Sequence, residues 1–70
     1  NQKFSLTYYL DVGDQTSSEP GVLKLYNPNK EILPSNGQII IFPANRKHSA
    51  VYNGKLDRVM MGVNFYSLLS

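Results

Sequence analysis

Apolar side chains in this chain recur at every second position, and no stretch carries them at the spacing of an amphipathic helix. In residues 4–10, Phe4, Leu6, Tyr8 and Leu10 fall on one face, while Ser5, Thr7 and Tyr9 fall on the other. Such alternation with aromatic content predicts a strand. Residues 11–20 are polar and rich in turn formers, a loop long for a simple hairpin. It reads either as a lid beside a site or as a surface excursion. Residues 21–26 are a second strand, 27–30 a turn, 31–33 a short extended piece, and 34–37 a turn ending in Asn-Gly. Residues 38–42 are apolar on both faces apart from Gln38, which predicts a central, buried strand. A loop over 43–47, a short strand over 49–52, a turn at Asn53-Gly54 and a long strand over 58–66 complete the pattern, with 67–70 as a tail. The fold class is therefore all-β, with at least five strands and essentially no helix, as a sandwich, jelly roll or barrel. Residues 38–42 and 59–65 are expected to be among the most buried.

Seventy residues allow one small domain, and a domain of that size buries only roughly 60% of its unfolded surface. Cysteine is absent, which excludes disulfides and thiolate metal sites and fits a reducing, cytoplasmic setting. The net charge is +2, from seven scattered bases and five scattered acids, so no nucleic-acid partner is expected. No apolar run approaches the roughly 20 residues of a membrane span, and no signal peptide is visible, so no membrane partner is expected either. The chain begins at Asn1 rather than methionine, which fits a processed chain or a fragment of a longer one.

Three residues stand out as site candidates. His48 is the single histidine and follows the apolar strand and its loop. A neutral imidazole is a good ligand for a divalent transition metal, and it is as readily a structural residue. Arg58 stands ten residues later, at the start of the last long strand. Its guanidinium is a natural fork for a carboxylate. It shares a face with Met60, Gly62 and Asn64, which leaves room for a polar guest, although a strand-start arginine more often faces solvent. Tyr9 lies on the less apolar face of its strand, where it can donate to a carboxylate or simply pack. No catalytic triad is readable, and no residue is assigned a catalytic role.

The order of Leu6-Thr-Tyr-Tyr-Leu10, the polar loop, Gly21-Val-Leu-Lys-Leu-Tyr26, Ile32-Leu-Pro-Ser-Asn-Gly-Gln-Ile-Ile-Ile-Phe-Pro43, His48 and Arg58-Val-Met-Met-Gly-Val-Asn-Phe-Tyr66 resembles the iron(II)- and 2-oxoglutarate-dependent dioxygenases, nearest their prolyl-hydroxylase-like branch. The resemblance covers nearly the whole chain. It implies a double-stranded β-helix, or jelly roll, lacking its N-terminal strands. His48 resembles the distal histidine of a His-x-Asp…His iron triad. Arg58 resembles the residue that pairs with the far carboxylate of 2-oxoglutarate. Tyr9 resembles the tyrosine that donates to the same group. Some relatives use a serine two residues after the arginine, where this chain has Met60. The activity implied is hydroxylation coupled to decarboxylation of 2-oxoglutarate to succinate. The His-x-Asp pair of the family would fall before Asn1, so the resemblance implies the C-terminal portion of a catalytic domain, inactive alone. Strand edges left open by such a cut are expected to drive self-association. A non-catalytic β-sandwich binding module is the alternative, and a His-x-Asp or His-x-Glu shortly upstream would discriminate.

Overall fold

The computed structural model describes residues 2–68. Six strands follow in order: β1 (Gln2–Asp11), β2 (Leu23–Leu25), β3 (Lys30–Ile32), β4 (Ile39–Pro43), β5 (His48–Ser49) and β6 (Val59–Ser67). They form two three-stranded antiparallel sheets, ordered β4-β1-β6 and β3-β2-β5. No helix occurs among the described residues, and so none is long and apolar enough to cross a membrane. The all-β class is that predicted by period-two patterning.

The core lies between the sheets. Tyr9, Ile40 and Phe42 from the larger sheet meet Leu23 and Leu25 from the smaller, with Val12 closing one end and Ile32 packed beside them. Burying each large apolar side chain contributes about 1.5–3 kcal/mol, so this small cluster holds the layers together. In register, Ser5 faces Phe42 and Thr7 faces Ile40. The small side chains on β1 leave volume that the large ones on β4 fill, and Tyr9 fills its own.

That packing settles which face of β1 is buried and reverses two expectations. The core takes the less apolar face of β1, and the Phe4-Leu6-Tyr8 face points outward and is only half-buried. Residues 38–42 do not form a central, fully buried strand. β4 is an edge strand whose Ile40 and Phe42 are buried while Ile39 and Ile41 stay exposed. Residues 59–65 are likewise not buried: β6 is exposed along its length, with Val59, Met61, Val63 and Phe65 on the uncovered outer face. An apolar run marks a face that can be covered; covering it takes another layer, and the described residues supply none on that side.

The last short strand is also displaced. β5 is confined to two residues, and Tyr52 makes an isolated bridge to Pro20 instead of extending it.

Candidate functional site

Arg58 sits just before β6 and turns inward, not toward solvent. Its Nε donates to the Val12 carbonyl at 3.0 Å, one terminal nitrogen to Gly21 at 3.0 Å, and the other to Pro20 at 2.6 Å. Its Cζ lies over two rings, 4.6 Å from the Tyr52 centroid and 5.7 Å from the Tyr9 centroid. A guanidinium carries five N–H donors, so three bonds leave two free for a further acceptor among the described residues.

The glycine at position 21 is what admits this arrangement. It has φ +81°, and a Cβ built there would overlap the guanidinium. Tyr52 also packs against the guanidinium. Its hydroxyl accepts from the Asp14 amide at 2.8 Å and donates to the Leu56 carbonyl. Gly13 and Gly54 both lack the Cβ that would strike that hydroxyl. Further bonds tie Glu19 and Asn53 together, amide to side chain and amide to carbonyl. The polar 11–20 loop is thus stitched to residues 52–58 and is neither a free lid nor a loose excursion.

Tyr9 is 1% exposed, the most enclosed large side chain of the core. Burial pushes its hydroxyl above the usual phenol range, and the neighbouring Arg58 charge partly offsets this. Its hydroxyl has no hydrogen-bond partner among the described residues. The structure therefore brings together Arg58 and Tyr9, with unused donors on each, inside the space between the sheets.

His48 opens β5 in the smaller sheet, whereas Arg58 leads into β6 of the larger, so the two do not share a hairpin. The imidazole packs on Phe42, centroids 4.9 Å apart, and its Nδ1 lies 2.9 Å from the Arg46 carbonyl. With Nδ1 donating to that carbonyl, Nε2 keeps a free lone pair, the arrangement of a metal-ligating histidine. Phe42 belongs to the same inner cluster as Tyr9, which links His48 to the Arg58–Tyr9 pair across the core. Among the described residues no three histidine, cysteine or carboxylate side chains gather as a metal site. An iron triad does not fit the residues present, because His48 has no companion ligand.

Sequence reasoning missed Tyr52, Gly21 and the Ser5–Asn64 pair, whose side chains bond at 2.7 Å on the inner face. The Pro20-Gly21 step was a usable signal for a close backbone approach; Tyr52 offered none. Comparison with protein-family models, curated proteins and solved structures found no match for the chain.

Proposed function

We propose that this chain is the C-terminal part of the catalytic domain of an iron(II)- and 2-oxoglutarate-dependent dioxygenase, a hydroxylase, and that it is inactive alone. The observation that carries the proposal is the Arg58–Tyr9 pair: a half-buried guanidinium with two unused N–H groups among the described residues, beside a buried phenol. These donors suit the far carboxylate of 2-oxoglutarate, with Arg58 supplying charge and geometry and Tyr9 one more hydrogen bond. His48 would supply one iron ligand of a site that the described residues do not complete. The other two, a His-x-Asp pair, belong to preceding sequence of the same domain. Bound iron and 2-oxoglutarate would supply the oxidising chemistry; the residues here orient the cosubstrate and exclude water from it.

Strand connectivity supports the jelly-roll part of this reading. β2·β3 and β1·β4 are nested pairs of one folded ribbon, while β1·β6 and β2·β5 join neighbouring turns of it within the two sheets. An eight-stranded jelly roll continues that ribbon with two more strands, one beside β5 and one beside β6. Such a strand would pair with the open edge of β6; self-association through that edge belongs to the same proposal, as does a cytoplasmic setting. A second reading, a binding module without chemistry, draws on the three carbonyl bonds that already give Arg58 a structural role.

Titration with 2-oxoglutarate, followed at the Arg58 Nε–H and Tyr9 ring resonances, tests the proposal. Saturable shifts are expected, with binding about tenfold weaker in Tyr9→Phe, the worth of one hydrogen bond to a charged group. Resonances that stay unmoved at millimolar cosubstrate would leave the binding-module reading.

A further inference from the structure

We propose that the open end of the inter-sheet space beside His48 is an entry for an acidic polypeptide segment. The inference rests on the proposed function in naming what would reach His48, but its charge pattern stands apart from it.

Strand register defines the entry. Lys3 and Tyr66 are partners and extend the inner row beyond Ser5 and Asn64. On the facing sheet, buried Leu25 is flanked in register by Lys30 on β3 and His48 on β5. Register partners share a face, so both flanking residues lie on the core side of that sheet. Lys3, Lys30 and His48 are all exposed there. Arg46 and Lys47 precede His48 in the 43–47 loop. Two open hollows of about 420 and 350 Å³ flank that loop and meet at Asn45.

Among the described residues no acidic side chain is placed beside these cations by strand register. Asp11 ends β1 at the far end, the backbone amides of Asp14 and Glu19 bond to Tyr52 and Asn53 there, and Asp57 adjoins Arg58. Glu31 pairs with Lys24 on the outer face of its sheet. The charge is therefore segregated along the sandwich, although the net value is only +2.

Spacing selects the ligand class. Packed sheets stand about 10 Å apart, too far for a single carboxylate to span. An extended peptide presents same-side residues roughly 7 Å apart, so successive acidic side chains can meet the cations in turn. Nucleic acid fits less well. The Tyr26 and Tyr66 rings already carry Lys47 and Lys3 ammonium groups at 5.7 and 6.0 Å, so neither is a bare platform for a base.

The test is fluorescence anisotropy on the 70-residue chain, without iron or 2-oxoglutarate, using a labelled peptide that alternates Glu with Ser. Saturable, salt-sensitive binding is expected. It should weaken about tenfold in the Lys3→Gln, Lys30→Gln, Lys47→Gln triple variant, as for three exposed charge pairs. Lys55→Gln, at the far end, should bind within twofold of wild type, and far-UV melts confirm that each variant folds. Absence of binding, equal affinity in the triple variant, or tighter binding of oligouridylate would each overturn the proposal. Peptide binding with silent Arg58 resonances would retain the entry and reject the oxygenase; the converse would do the opposite.

Discussion

Gly21→Ala should be among the most damaging small substitutions in this chain, and Gly37→Ala provides its control. Both glycines have φ +81°. An alanine in that region costs about 1 kcal/mol in backbone strain at either position. Around Gly37 a new Cβ meets nothing, whereas at Gly21 it takes the place of the Arg58 guanidinium. Arg58 must then withdraw from Val12, Pro20 and Gly21. Hydrogen bonds from a charged donor are worth about 1.5–3 kcal/mol each, and hydration of the displaced group recovers part of the loss. A net cost of about 3 kcal/mol beyond the strain is the resulting expectation. A domain of this size commonly has only about 3–5 kcal/mol in total, so Gly21→Ala should be largely unfolded while Gly37→Ala stays folded. Urea unfolding followed by circular dichroism measures both. Stabilities of the two variants within about 0.5 kcal/mol of each other would refute the idea that Arg58 clamps the 11–20 loop.

Other outcomes follow from the same contacts. Arg58→Lys should weaken 2-oxoglutarate binding in the intact parent domain more than iron binding, because lysine keeps charge but loses the planar fork; calorimetry with each ligand separates the two. Tyr9 keeps its proton longer in the folded chain than in the unfolded one. Its contribution is thus fully present below the unfolded phenol value near 10 and is lost as pH rises through the higher folded value, so unfolding should become easier in strong alkali, more sharply than in Tyr9→Phe. Hydrogen bonds from Thr16 hold the Asp14 carboxyl below its ordinary value, and Thr16→Val should raise it in a carbon-13 carboxyl titration. Sedimentation of the chain should show self-association that Met61→Lys or Val63→Lys, on the outer face of β6, reduces; a compact monomer at high concentration would contradict it.

The strands were legible because alternation and turn residues are local signals. Which face each strand buries was not. β1 offers Phe4, Leu6 and Tyr8 on one side and Tyr9 on the other, and only the arrival of Leu23 and Leu25 decides between them. Residues 38–42 look buried on both faces because isoleucine fills both, yet burial of Ile39 and Ile41 needs a layer beyond this sheet. For the site, the grouping of Arg58 with Met60, Gly62 and Asn64 left an inward and a solvent-facing arginine both open. Its actual acceptors lie 37 to 46 positions away on a loop, and no pairwise pattern in the sequence announces contacts at that separation.

The central claim is that His48, Arg58 and Tyr9 belong to an oxygenase site completed by preceding sequence. The most direct measurement is iron- and 2-oxoglutarate-dependent succinate formation, compared between residues 1–70 and the natural polypeptide that continues upstream of Asn1. The account predicts a His-x-Asp or His-x-Glu shortly before Asn1, no turnover by residues 1–70, and turnover by the longer chain that His48→Ala abolishes. Robust succinate formation by residues 1–70 alone, or an inactive longer chain without such a pair, would contradict it.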